Sequence, residues 1–304
     1  MPPRSLSADR KRLLQTVGDL RVADLELLTA LLVRTADPGR RAFGAWGVRR
    51  ACESMLERGL LHRLWKHRDP KFRINRGSAR QVFLLSAQGA HDAGLPQKTQ
   101  RRSEEWFEYL KDPRKEYVLE HELMIARFHG ALLVAHDLQE WSQGLGTEIN
   151  KHGVRIRPDA FFQVDGRYFF LEADTGNERV ESGDPNRRTI VKKIRRYGEA
   201  DAKEVVQEQF DVPGFSVIFM VPRRPDPRFR SGREESVWSA IHQAGRLKEH
   251  GRFFYRVITE DAVVSALNRR QPLPVFSNPA TLMVPAGGSS SLPLQEVPPT
   301  HEAM

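Results

Sequence analysis

The chain has 304 residues, 39% hydrophobic and 29% charged, with a formal net charge of +9; that length gives a soft prior of about two domains, and the charge points to a polyanionic partner. Its one cysteine, Cys52, excludes an internal disulfide framework and a multi-thiolate zinc site, and the expected compartment is a reducing cytoplasm. No apolar run has the length of a signal core or a membrane span, so neither export nor anchoring is expected.

Leu20, Ala23, Leu27, Leu28, Leu31 and Leu32 recur at spacings of three and four and predict a first helix with one buried face. Asp37-Pro38-Gly39 breaks it. Val48, Cys52, Met55 and Leu56 mark a second apolar face, closed by Gly59, which suits a helix C-terminus. A polar, basic stretch from His62 to Arg80 leads into the strand-like Gln81-Val82-Phe83-Leu84-Leu85. Helices followed by a basic two-strand ribbon predict a winged helix-turn-helix over residues 1–93.

Residues 34–80 hold thirteen Arg and Lys against four Asp and Glu, a net +9 that equals the charge of the whole chain. A solvated loop is the bland alternative, but the basic residues fall where a wing would lie. The expected contacts to double-stranded DNA are therefore Arg49 and Arg50 on the second helix, with Arg63, Lys66, Arg68, Lys71, Arg73 and Arg76 along the ribbon. Most of them would meet phosphates.

Residues 94–103 (GLPQKTQRRS) show no period and are expected to form a linker, so a second domain is placed at 104–277. There the pattern predicts helix over 104–134, strands over 154–164 and 167–174, helix over 187–209, a buried strand over 215–221, helix over 234–250 and a last strand over 253–259. That order is α/β. The Pro, Gly and Ser of the tail 278–304 predict disorder.

The chemistry concentrates between Arg157 and Asp174. Asp165-Gly166 between two aromatic-rich runs signals a two-residue type I′ hairpin, which pairs Val164 with Arg167. The same register sets Asp159 opposite Glu172, with Cβ atoms about 5 Å apart on one face. Alternation adds Asp174 to that face, beside Phe161 and Phe170. Carboxylates so placed repel, and Mg²⁺ or Mn²⁺ held by Asp159, Glu172 and Asp174 would reconcile them. A bulge would slip the register by one residue and undo the alignment.

On the following helix Lys193 flanks the apolar stripe while Lys192 points away. Lys193 is the candidate to stabilise a developing phosphorane charge or to orient an attacking water; snorkelling along the stripe is its bland alternative. Glu122 lies between two apolar faces of its helix and is the preferred assisting carboxylate. His121 reads as a core histidine, Cys52 as core, and Phe161, Phe162, Phe169 and Phe170 as packing.

With these residues in place the sequence resembles the PD-(D/E)xK nuclease-like domains, and within them the replication-relaxation proteins of bacterial plasmids and mobile elements. Pro158-Asp159 matches the first motif, Glu172-Ala173-Asp174-Thr175-Gly176 is similar to the E-x-D-x-G-T element, and Lys193-Ile194-Arg195-Arg196-Tyr197 to the K-x-x-x-Y helix. Glu120-His121-Glu122 fits the acidic-His position. The resemblance spans most of residues 20–260 and implies an N-terminal winged helix followed by a restriction-endonuclease-like domain, with a central mixed sheet flanked by helices. It departs at position 174, where the nuclease motif has lysine and this chain has Asp174.

Two functions follow as expectations. One is a DNA-binding protein acting on plasmid or mobile-element DNA that nicks or cleaves it, with Asp159, Glu172, Asp174, Lys193 and Glu122 as the catalytic set. The other is a catalytically silent regulator or accessory factor for replication or conjugative transfer, with a relaxase or replication protein as partner. A scaffold with incidental charge is disfavoured by the clustering of the basic residues.

Overall fold

The computed structural model describes residues 6–33, 44–66, 80–183, 189–222, 232–245 and 254–276. Helix α1 (Ala8–Leu20) buries Leu13, Leu14, Val17 and Leu20 along one face and stops at Arg21, whose φ is +66°. Strand β1 (Ala23–Asp24) follows, and the Asp24 side chain accepts the Leu27 N–H to cap α2 (Leu25–Leu32). The helix predicted from Leu20 onward is thus two helices with a strand between them. Arg21 ends the first, Ala23 joins a sheet, and the Asp24 cap starts the second.

Helix α3 (Ala45–Glu57) buries Val48, Ala51, Cys52 and Met55, and Gly59 beyond it has φ +68°, as expected of a helix stop. Cys52 is a core residue whose thiol is pushed up to about 12, chiefly by burial. Strands β2 (Leu61–Lys66) and β3 (Arg80–Leu85) pair antiparallel, and the small sheet has the order β1-β3-β2. Helix α4 (Ala87–Asp92) is capped by Ser86.

Helix α5 (Gln97–Leu110) occupies most of the stretch expected as a linker. Leu110 is its one fully buried residue, so the apolar periodicity that announces a helix is nearly absent from its sequence. The tail 278–304 lies outside the described residues.

The larger sheet is built from β4 (Leu138–Gln143), β7 (Ala160–Val164), β8 (Arg167–Ala173), β9 (Ser216–Val221) and β10 (Phe254–Thr259), after the small hairpin of β5 (Ile149–Lys151) and β6 (Val154–Ile156). Its order is β10-β9-β8-β7-β4, parallel among β10, β9 and β8 and antiparallel from β8 to β4. Helices α6 (Glu116–Ala135), α7 (Ile190–Ala202), α8 (Val205–Phe210), α9 (Arg233–Gly245) and α10 (Glu260–Arg269) flank it. This is a mixed α/β arrangement with a central mixed sheet between helices.

Side-chain alternation sorts the sheet into two faces. Ala160, Phe162, Val164, Phe169 and Leu171 join a core that runs through α6, α10 and the front elements α1 to α3. Phe161 and Phe170 face the other way, into a core with α7, α8 and α9. Among the described residues no helix is long and apolar enough to cross a membrane.

The β7–β8 turn adopts the predicted form, with positive φ at both Asp165 and Gly166. Pairing runs unbroken from Val164↔Arg167 to Ala160↔Leu171. The ladder ends there, and the Asp159 N–H donates to the Leu171 carbonyl (3.0 Å), so Asp159 and Glu172 lie just beyond the last pair, where the strands open.

Candidate functional site

Backbone geometry fixes Asp159 first. Its N–H donates to the Leu171 carbonyl (3.0 Å) and its Oδ2 accepts the Ala173 N–H (2.7 Å), which ties the carboxylate to the end of β8. His121, reaching from α6, brings Nε2 to 3.2 Å from the same oxygen. The ring read as core is therefore a partner of the first motif carboxylate.

Glu172, on β8, is held by α7. Lys193 donates to its Oε2 (2.9 Å) and the Tyr197 hydroxyl to its Oε1 (2.7 Å). Lys193 and Tyr197 are one helical turn apart, so a single face of α7 delivers both. Lys193 also lies 2.8 Å from Glu178. The lysine points at the carboxylates and does not snorkel away from them.

Burial disfavours every charge here, and the neighbours decide which way each group moves. For Asp159 burial pushes upward, but His121, Lys193 and the Ala173 N–H outweigh it and hold the carboxyl below its ordinary value. Burial raises Glu172 despite Lys193 and Tyr197, with Asp159 adding to the rise. His121 is raised, because Asp159 more than offsets the cost of burying a charged ring. Lys193 is raised well above the ordinary lysine value against burial, by Glu172, Asp159 and Glu178. A lysine so held stays protonated.

Asp174 departs from the expected patch. Its Oδ2 accepts from the buried Arg233 Nε (2.6 Å) and its Oδ1 from the Gly176 N–H (2.9 Å), so both oxygens are engaged away from Asp159 and Glu172. The strand ends at Ala173, and α9 supplies a guanidinium that compensates the carboxylate. Arg233 had no signal in the sequence, since it lies 59 residues from its partner in a different pattern. Glu122 is buried as expected. It accepts from Gln143 (3.1 Å), lies 3.6 Å from Arg21, and is raised mainly by burial.

Among the described residues no group of three or more His, Cys, Asp or Glu side chains is arranged to hold a metal ion. Asp159 and Glu172 remain neighbouring hard oxygen donors that interact electrostatically. Mg²⁺ is commonly held by one or two carboxylates with water and substrate phosphates completing its shell, and Asp159 and Glu172 are donors of that kind, although Glu172, like Asp174, already has both oxygens hydrogen-bonded within the protein.

At the front, Arg49 and Arg50 are exposed on α3, and Arg63 is exposed on β2. Lys66 closes β2 opposite Arg80. Arg68, Lys71, Arg73 and Arg76 lie outside the described residues. The sequence reading missed Trp46, which is 70% exposed in the first turn of α3 with the Arg50 guanidinium 5.1 Å from its ring centroid.

The family model described as replication-relaxation matches residues 14–211, which runs from the middle of α1 through α8 and includes both strands of the carboxylate hairpin. The chain belongs to the replication-relaxation family. No curated protein matches it. Among solved structures, protein VC1899 from Vibrio cholerae is similar at 12% identity and a TM-score of 0.29, over 87% of this chain and 56% of that one. The chain thus spans little more than half the length of that protein, and a likeness at this level carries no argument.

Proposed function

We propose that this replication-relaxation protein binds duplex DNA of plasmids or mobile elements through a winged helix and nicks it at a PD-(D/E)xK-type site, within the cytoplasm. The observation that carries the reading is the meeting of Asp159, Glu172 and Lys193, with Lys193 2.9 Å from Glu172 and its charge acting on both carboxylates. The order α1-β1-α2-α3-β2-β3, with the sheet order β1-β3-β2, supports the winged-helix part. There α3 would enter the major groove and Arg49, Arg50 and Arg63 would meet phosphates.

In the back half Asp159 and Glu172 would hold Mg²⁺ or Mn²⁺, which supplies Lewis-acid polarisation of a phosphodiester when bound. Lys193, kept charged by its carboxylate neighbours, stabilises negative charge that develops on the phosphoryl oxygens. His121 holds the orientation of Asp159, and Tyr197 that of Glu172. Glu122, beside His121, is an assisting carboxylate.

Supercoiled plasmid incubated with Mg²⁺ or Mn²⁺ should be nicked by the wild type and not by Asp159→Ala, followed on a gel. Equal nicking by both would remove the mechanism. A second reading is favoured by the Asp174–Arg233 pair, which commits the motif's lysine position to an internal ion pair: a silent DNA-binding accessory factor for a relaxase or replication protein. It predicts plasmid binding that survives EDTA and no nicking by the wild type.

A further inference from the structure

Lys193 is shared between two carboxylates. Its Nζ lies 2.9 Å from Glu172 on β8 and 2.8 Å from Glu178, which belongs to the segment that leaves β8. Glu172 is nearly enclosed, whereas the Lys193 side chain is 29% exposed and so has a direction open to water. A lysine is a point charge on a flexible four-carbon stem, and holding it in one place costs rotamer entropy. One anchor leaves the stem free to swing about it. A second anchor on a separate segment removes much of that freedom.

The segment that carries the second anchor is itself pinned. At its start Asp174 Oδ1 accepts the Gly176 N–H (2.9 Å). Arg233, buried at the start of α9, then grips two points of it: Nε donates to Asp174 Oδ2 (2.6 Å) and Nη2 to the Glu178 carbonyl. Just beyond, the carbonyls of Arg179 and Val180 accept the N–H groups of Ile190 and Val191 (3.2 and 3.1 Å), the first residues of α7. Lys193 lies in that same turn of α7. The backbone at Glu178 is thus held by α9 through Arg233 and by α7 through the next two residues.

We propose that Glu178 is a positioning residue for Lys193, and that Asp174 and Arg233 set its place by fixing the segment after β8. The proposal rests on the nuclease-type reading, because it names what aims the charge that acts on a phosphoryl group. It also gives position 174 a use. The nuclease motif carries its lysine on the strand at this point; here the strand position holds a carboxylate, and the guanidinium that pairs with it seats the residue that steadies a lysine on the helix.

The test follows the Lys193 ammonium by NMR in the full chain, isotopically labelled at its lysine nitrogens, in EDTA. Lys193→Arg identifies the signal by its loss. Held by two carboxylates, the wild-type ammonium should exchange its protons slowly enough to be seen. In Glu178→Ala the signal should vanish, and in Glu178→Gln, which keeps the length and loses the charge, it should shift and exchange faster, with backbone amides unchanged outside the segment and α7. Arg233→Lys keeps a cation for Asp174 but not the forked grip, and should also disturb the signal. With Mg²⁺ and supercoiled plasmid, Glu178→Ala should lower kcat for nicking by about tenfold to a hundredfold at unchanged KM, as loss of an outer partner of a site residue does. A Lys193 signal absent from the wild type, or unchanged in Glu178→Ala, overturns the proposal. So does a loss accompanied by changes across the whole amide spectrum, since Glu178 would then hold the fold and not the lysine. A signal unchanged in Arg233→Lys removes Asp174 and Arg233 from it. A wild type that does not nick, with the signal still dependent on Glu178, removes the nuclease reading and leaves the positioning standing.

Discussion

Glu172 is 1% exposed, and both its oxygens are engaged, one by Lys193 and one by Tyr197. A buried acceptor stripped of one donor loses stability and favours its protonated form. Tyr197→Phe should therefore destabilise the protein by about 1–3 kcal/mol in urea unfolding at neutral pH and raise the Glu172 carboxyl further. An unchanged midpoint would mean that the hydroxyl is not a structural partner of Glu172. At this scale the sequence revealed the turn at Asp165-Gly166 and the register from Val164↔Arg167 to Ala160↔Leu171, because a two-residue turn sets register, and so brought Asp159 and Glu172 to one end of the hairpin. It did not reveal what satisfies them. Arg233 and His121 come from separate helices, and a local pattern contains nothing about the distance between such segments. The metal expected to relieve the carboxylate repulsion was inferred without Arg233, whose guanidinium already offsets the charge of Asp174.

Elements were legible where an apolar stripe is strong and obscure where it is thin. The strands β7, β8 and β9 and the helices α3, α6 and α7 announce themselves, whereas α5 buries little and β1 is two residues long. Joints between elements are less visible still, and the one between α4 and the α3–β2 turn shows why. Ser86 Oγ donates to the Gly59 carbonyl (2.7 Å) and accepts the Gly89 N–H (2.9 Å), while the Ser86 N–H donates to the Leu60 carbonyl (3.2 Å). This stitching draws α4 so close that a Cβ on Gly89 would lie 1.9 Å from the Leu60 oxygen. That oxygen is backbone and already accepts a hydrogen bond, so it cannot yield cheaply. Gly89→Ala, a change that usually favours a helix, should here cost about 1–3 kcal/mol or more through overpacking, read as a lowered thermal midpoint. A stabilised variant would mean that α4 can lift off the turn without loss.

At the scale of the whole molecule the front and back halves share one apolar core, and a buried ion group crosses it. Arg127, on α6, donates to Asp24 Oδ2 (2.8 Å) at the start of α2 and to Glu260 at the start of α10. One guanidinium therefore joins a front helix, the long central helix and the last helix. Asp24 is itself buried and also caps α2, so removing Arg127 takes a hydrogen-bonded cation away from a carboxylate inside the protein. Arg127→Met should destabilise by about 3–5 kcal/mol, the usual cost of breaking one side of a buried pair. The loss should fall on both halves together, because the apolar contacts around Arg127 belong to both. Trp46 on α3 and Trp141 on β4 lie in the two halves; single-tryptophan variants retaining one or the other should give coincident urea transitions, each shifted alike by Arg127→Met. Transitions that separate, with only the front signal moving, would mean that the two halves fold independently and that Arg127 stabilises α2 alone.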